Sequence, residues 1–345
     1  MKYDDLNLLN FLENDAQEVE PIFLAGPYWS NKIEISLNEI RKNGINKFRG
    51  SGNLISQSYG DNINLDIRKL LEANQVLPSN NISPLDEVPN KNILDKQVGL
   101  TEIYFHQTLK LYKRIFESDT NILNLINNYN IEDSIEFDCI YRVNINGKEY
   151  SIHYISLLQQ LDFAMSKIDI DSANSMFEIG GGFGATCHMV LNNFKTVKKY
   201  LYLDIFPNLY VGTQYLKSFF SDAVKDYSQT RELRSIKFAS NDDLEIFCIA
   251  PWQLKYFDSK IDLFYNSHSF VEMPENVVQN YCNVITEKLI TTESKLILIS
   301  YDGFDLKTSL HPNTLPGFFK GHSFSQYESP CVIDDSRVNY YYISD

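Results

Sequence analysis

Positive charge is in short supply in this chain. Its 31 Lys and Arg stand against 45 Asp and Glu, for a formal net charge of −14 and a pI near 4.9. A protein that grips a phosphate backbone carries a basic face, so nucleic acid is excluded as the expected partner. Cysteine is sparse, with Cys139, Cys187, Cys248, Cys282 and Cys331 scattered, odd in number and without C-x-x-C spacing. That pattern excludes a disulfide framework and predicts reduced thiols. No pair of histidines has the spacing of a zinc site, and no metal is expected. No apolar run approaches membrane-spanning length, and the opening Met-Lys-Tyr-Asp-Asp lacks an apolar signal core, so the expectation is a soluble, cytoplasmic protein. No internal repeat is found. What remains is a chain of 345 residues, 43% hydrophobic and 22% charged, able to bury a substantial core and long enough for two domains.

Glycine is scarce too, at 15 residues, yet Gly180, Gly181, Gly182 and Gly184 fall almost side by side in Met176-Phe-Glu-Ile-Gly-Gly-Gly-Phe-Gly184. An apolar strand carrying Glu178 opens through these glycines into a helical stretch over 185–194. Glycine is needed where the chain reverses tightly and a ligand lies against bare backbone, and the amides of the new helix then face that ligand. Twenty positions after Gly184 comes Asp204, ending a second apolar run, Tyr200-Leu-Tyr-Leu-Asp204. A carboxylate there, one strand over, can accept both hydroxyls of a ribose. Gly180, Gly182 and Ala185 also fit a dinucleotide fingerprint, G-x-G-x-x-A. Glu178 argues against it, because a carboxylate two positions before the first glycine sits poorly beside a pyrophosphate and well beside an ammonium. S-adenosylmethionine carries an ammonium and a sulfonium and no phosphate. E-x-G-x-G-x-G followed by an acidic strand end resembles the first two motifs of class I methyltransferases. The expected cofactor is therefore S-adenosylmethionine, held by Glu178, Gly180, Gly181, Gly182, Phe183, Gly184, Asp204 and Ile205.

From residue 175 the pattern alternates strand and helix, as in a doubly wound, Rossmann-like α/β sheet. Strands are predicted over 175–179, 199–203, 245–250, 261–266, 295–301 and 337–344, with helices near 185–194, 209–220 and 274–290. The last strand, after a loop over 302–335, is expected to be the antiparallel edge. Before this domain (151–345) stands a mostly helical one (1–150), expected to cover the carboxyl edge of the sheet and shape the acceptor pocket. Within it, helices are predicted over 3–20, 31–43 and 99–118, a loop over 78–92, and a hairpin over 135–152 turning at Asn146-Gly147. A joining helix is expected over 154–168.

Ligands of such sheets bind at the carboxyl ends of the strands, here Glu178, Asp204, Ala250, Asn266 and Tyr301. After the third strand, Trp252 is a candidate to stack on the adenine, or Gln253 to bond its edge, with plain core packing of Trp252 as the competing reading. Phe206-Pro207 is a candidate wall of the same pocket. The fourth strand runs into Asn266-Ser-His-Ser-Phe-Val-Glu-Met-Pro274. Asn266 is expected near the cofactor, and His268 and Glu272 are the candidate catalytic pair. A hydroxyl is a poor nucleophile until a base removes its proton, and histidine is the commonest such base. Glu272, four residues on, is placed to orient His268, bind the acceptor or serve as the base itself; the competing reading makes both residues surface caps of the next helix. His188 reads as a packing residue. His106, His153, His311 and His322 carry no pattern, and a magnesium site of Glu272 with Asp302 or Asp305 has no support beyond the frequency of carboxylates at strand ends.

Together, the glycine turn, the Asp204 strand and above all the run Asn266 to Pro274, followed by Val277, Val278 and Tyr281, resemble a bacterial family of sugar O-methyltransferases. Weaker likeness touches Trp29, Gly44 to Arg49 and Ile145 to Tyr154. The resemblance implies methyl transfer to a hydroxyl of a sugar nucleotide or surface-polysaccharide saccharide, with a homo-oligomer possible. Alternatives left open are another small-metabolite acceptor, a nicotinamide-dependent dehydrogenase, and a binding protein on a methyltransferase-like fold.

Overall fold

A computed structural model describes residues 4–49, 120–139, 142–145, 147–170, 172–301, 310–330 and 338–345. The expected loop over 78–92 and helix over 99–118 lie outside the described residues, as do His106, Asn146, Asp302, Asp305 and Cys331. The chain divides into two compact units, one of Met1–Leu37, Phe163–Pro330 and Ser336–Asp345, the other of Asn38–Asp162 and Cys331–Asp335. Residues 1–37 thus group with the sheet that follows much later. Among the described residues no helix is long and apolar enough to cross a membrane.

The chain begins with α1 (Leu6–Ala16), capped by the Asp5 carboxylate, and α2 (Pro27–Asn43). Helix α3 (Thr120–Asn128) leads to a hairpin of β1 (Arg142–Ile145) and β2 (Lys148–Ser151), and α4 (Ile152–Met165) follows. Ile145 pairs with Lys148, so the turn has two residues, with Gly147 at φ 83° as a tight hairpin requires. Arg49 is fully buried in this unit. Its guanidinium donates to the carbonyls of Ser134 and Glu136 and to Ser151 Oγ, and it lies over the Tyr154 ring. A buried guanidinium must spend its donors in this way, because an unpaired one would carry the full cost of desolvation.

The other unit is built on β3 (Ser175–Ile179), α5 (Ala185–Asn193), β4 (Lys199–Leu203), α6 (Asn208–Phe220), β5 (Val224–Lys225), α7 (Tyr227–Thr230), β6 (Glu245–Ile249), β7 (Leu263–Ser267), α8 (Glu275–Val284), β8 (Lys295–Tyr301), β9 (Phe324–Pro330) and β10 (Val338–Ser344). These strands form one sheet in the order β5-β6-β4-β3-β7-β8-β10-β9. All neighbours from β5 to β8 run parallel, and β10 runs antiparallel to both β8 and β9. From β3 the chain steps one way to β4 and later returns to the other side for β7. That reversal is the switch point of a doubly wound, Rossmann-like α/β sheet, where a crevice opens at the strand ends.

Buried parallel strands need apolar residues on both faces, and β3 and β4 are buried at every position. Phe177, Ile179, Leu201 and Leu203 share one core cluster with Val278, Tyr281 and Cys282 of α8. Each fully buried Leu or Phe stabilises the fold by about 1.5–3 kcal/mol. At alternate positions, Glu178, Tyr200 and Tyr202 bring polar atoms onto the opposite buried face of these strands. At the N-terminus, α1 is tied to this unit by polar contacts: Tyr210 Oη donates to Asp4 Oδ1 at 2.7 Å and Arg231 pairs with Asp15 at 2.8 Å.

Two expectations are corrected. The terminal strand is antiparallel but not the edge, because β9 pairs along its whole length outside it. That strand was missed inside the expected loop because Phe-Ser-Gln-Tyr-Glu-Ser-Pro is polar and half exposed, as an edge strand can be. Helix 274–290 ends as an α-helix at Val284 and continues as one π-turn, Ile285–Leu289.

Candidate functional site

The turn after β3 has a left-handed backbone at Gly180 (φ 74°), Gly182 (φ 61°) and Gly184 (φ 90°), a region that residues with a Cβ adopt only at a cost. Gly180 N–H donates to Leu203 O at 2.8 Å, which locks the turn to the end of β4. A Cβ on Gly180 would lie 2.3 Å from Ser269, and one on Gly181 would lie 2.6 Å from the Tyr202 ring and 2.8 Å from Glu178 Oε2. The glycines therefore let two loops and a carboxylate converge on one point.

Asp204 caps this arrangement. Its Oδ2 accepts from Gly182 N–H at 2.8 Å and its Oδ1 from Ile205 N–H at 2.7 Å. It is 5% exposed, and burial raises its pKa to about 8 against the pull of those amides and of Asn208. Glu178, 3% exposed, accepts from Tyr200 Oη at 2.8 Å and also from Thr186, and burial raises its pKa to about 7. Tyr202 Oη reaches across to Gly182 O at 2.5 Å. The two tyrosines were not singled out in the sequence, although their spacing of two on a buried strand puts both on the Glu178 face.

Asn266 is 1% exposed, and its amide is occupied within the protein: Nδ2 donates to Ile179 O at 3.0 Å and to Ser269 Oγ at 2.6 Å, and Oδ1 accepts from Phe270 N–H at 3.3 Å. It clamps the end of β3 to the loop after β7. Gln253 is similarly engaged: its Oε1 accepts from Ala250 N–H at 3.0 Å within its own loop, and its Nε2 donates to Thr230 Oγ1 at 3.1 Å, which ties that loop to the end of α7. Trp252 is half-buried, and its Nε1 donates to Tyr227 Oη at 3.0 Å. Phe183 and Phe206 are buried, and Ile205 is half-buried. His188 packs on Phe219 and bonds Asn192, in line with a packing role.

Beyond β7 the chain turns sharply. His268 has a left-handed backbone, φ 68°, while its N–H donates to Ile299 O at 2.8 Å. Its Nε2 lies 3.3 Å from Asn339 Oδ1 and its ring meets Tyr301 edge-on at 4.8 Å. Glu272 is half-buried. Trp29 Nε1 donates to its Oε2 at 2.9 Å, and Tyr301 Oη stands 3.5 Å from its Oε1. Burial raises the Glu272 pKa to about 7, opposed by the Trp29 bond, the Lys32 charge and Tyr301. Lys32 lies 4.6 Å over the Trp29 ring, and burial lowers its pKa. Behind them, Gly26 abuts Pro274 so tightly that a Cβ would lie 2.7 Å from Pro274 Cδ. His268 and Glu272 thus share one neighbour, Tyr301. The N-terminal residues Trp29 and Lys32 complete their surroundings, and no periodicity in the sequence could have paired them with a loop so far along the chain.

No family model matches the chain, and no curated protein matches it. Among solved structures, it is similar to mitomycin 7-O-methyltransferase, at 13% identity over 56% of this chain and 54% of that one, with a TM-score of 0.38. It is also similar to mycolic acid cyclopropane synthase CmaA1 complexed with SAH, at 11% identity over 55% and 84%, TM-score 0.38. A third is geranyl diphosphate C-methyltransferase from Streptomyces coelicolor A3(2), in complex with Mg2+, geranyl diphosphate and S-adenosyl-L-homocysteine, at 9% identity over 56% and 80%, TM-score 0.38. The match spans about half the length of the first of these. Likeness at this level says nothing about what this chain binds.

Proposed function

We propose that the protein is an S-adenosylmethionine-dependent O-methyltransferase whose acceptor is a hydroxyl of a saccharide. The observation that supports it best is the grouping, at the strand crossover, of a glycine turn with Glu178 before it and Asp204 held against it through Gly182. Both are buried carboxylates with pKa values raised to about 7 and about 8. That donor set fits the cofactor. Asp204 accepts from Gly182 N–H, Ile205 N–H and Asn208, which leaves one of its lone pairs for a ribose hydroxyl. A cation brought beside Glu178 or Asp204 favours the ionised carboxylate and offsets the cost of burying it. A pyrophosphate in the same place would face two carboxylates, which disfavours a dinucleotide.

When bound, the cofactor supplies the electrophilic methyl group. The protein's part is to position the acceptor and take its proton. Glu272 is assigned as the general base. A carboxylate with a pKa near 7 holds a proton as readily as it releases one at neutral pH, and that match is what general-base catalysis requires. Trp29 fixes the carboxylate through Oε2, and Tyr301 approaches the other oxygen. His268 is the second reading for the base, favoured by its strained left-handed backbone, a state that clusters at functional sites. The saccharide class rests on the resemblance of the run Asn266 to Pro274.

The test incubates the full chain with methyl-labelled S-adenosylmethionine and a panel of nucleotide sugars and neutral saccharides, with products read by mass spectrometry. A methylated saccharide that is lost in Glu272→Gln is expected. Methylation of non-saccharide hydroxyls alone would replace the acceptor class, and no methylation of any hydroxyl would overturn the O-methyltransferase reading.

A further inference from the structure

The unit that carries the hairpin holds a cavity of about 550 Å³ between the C-terminal end of α3, the following loop and β1–β2. Its size falls in the range of ligand sites, but its lining is more polar than that of a typical apolar pocket. Leu123, Ile126 and Ile145 supply an apolar floor beside the buried Tyr150. Around it stand the carboxamides of Asn127, Asn128 and Asn130. Tyr129 is held in place by a 2.7 Å bond from its hydroxyl to Asp162. The two charged residues of the lining, Lys148 and Glu132, are paired with each other.

We infer that this cavity is a binding site for a neutral saccharide. A carboxamide offers one acceptor oxygen and two donors, so it can meet a hydroxyl in either role. Aliphatic and aromatic residues on the floor suit the C–H face of a pyranose, which buries apolar surface while its hydroxyls point to the rim. The ion pair leaves no net charge to select an anion, which disfavours a phosphorylated or nucleotide ligand at this place. The site lies wholly within one unit and its chemistry is independent of the methyl-transfer reading.

The test uses the full chain without S-adenosylmethionine. Saturation-transfer NMR and calorimetry are run with methyl α-glucopyranoside, methyl α-rhamnopyranoside, N-acetylglucosamine and maltotriose, with sodium phosphate as the anionic competitor. At least one saccharide is expected to bind and to be undisturbed by phosphate. The double substitution Asn127→Ala with Asn128→Ala removes two exposed amides and is expected to leave the melting temperature unchanged. It is expected to weaken binding roughly ten-fold or more, from the loss of two neutral hydrogen bonds. Leu123→Trp, which adds bulk to the apolar floor, is expected to weaken it further. Binding of none of the four sugars, binding that survives both variants, or displacement by phosphate would overturn the assignment. Calorimetric stoichiometry in the parent and in both variants separates a site in this cavity from the acceptor site proposed above, so failure of this assignment and failure of the methyl-transfer reading are distinguishable.

Discussion

The indole Nε1 of Trp29 donates to Glu272 Oε2 at 2.9 Å, across a sequence separation of 243 residues. This bond places the start of α2 in the surroundings of the candidate base and has a measurable consequence. Hydrogen bonding to the ionised form lowers a carboxyl pKa. Trp29→Phe keeps an aromatic ring and removes the donor, so Glu272 should rise above about 7. The acid limb of the kcat/KM profile should move to higher pH, with the rate falling at neutral pH and recovering in alkali. Glu272→Gln should remove the limb and lower kcat by roughly 10²–10⁴-fold, the usual worth of a positioned base. An acid limb that stays in Glu272→Gln and vanishes in His268→Ala would transfer the role to His268.

The glycine turn should be intolerant of a single methyl group. Gly180→Ala must hold a left-handed backbone, at about 1–2 kcal/mol, and place a Cβ 2.3 Å from Ser269. Overpacking adds about 1–3 kcal/mol. Gly317, with nothing within 4 Å of the same methyl, is the control. Chemical denaturation should find Gly180→Ala markedly destabilised and Gly317→Ala within about 0.5 kcal/mol of the parent. Equal stabilities would contradict the crowding at the crossover.

Stability should fall as pH rises. Glu178 and Asp204 are raised in the folded state to about 7 and about 8, from unfolded values near 4. A carboxyl that binds its proton more tightly when folded contributes stability that is full below the unfolded pKa and is lost as pH climbs through the folded one. Thermal melting of the unliganded protein should therefore decline between roughly pH 5 and 8.5. Asp204→Asn, which cannot ionise, should show a shallower decline. A steeper decline in the variant would contradict the raised Asp204.

The strands at the crossover were legible because burial leaves little freedom in their composition. Ser175–Ile179, Lys199–Leu203 and Lys295–Tyr301 are apolar runs with residue-level boundaries that the structure reproduces. Edge elements were not. β9 carries polar residues along its length, and β5 has only two residues, too few for any pattern. At the site, the glycines and Asp204 announced themselves through spacing within one segment. Tyr301 entered only as a strand end and Trp29 only through the family resemblance, and Lys32 not at all, because all three come to surround Glu272 through tertiary approach alone. The sequence offers Gln253 as a partner for the adenine edge, and only the structure reveals Thr230 and Ala250 as partners of its amide.

The most direct test of the central claim is calorimetric titration of the full chain with S-adenosylhomocysteine and, separately, with NAD. The account predicts a single saturable site for S-adenosylhomocysteine and none for NAD. It also predicts that, above about pH 8 where the Asp204 carboxyl is ionised and a bond to it is worth about 1.5–3 kcal/mol, Asp204→Ala weakens binding roughly ten-fold or more. No binding of S-adenosylhomocysteine, or an affinity unchanged in Asp204→Ala at that pH, would contradict it.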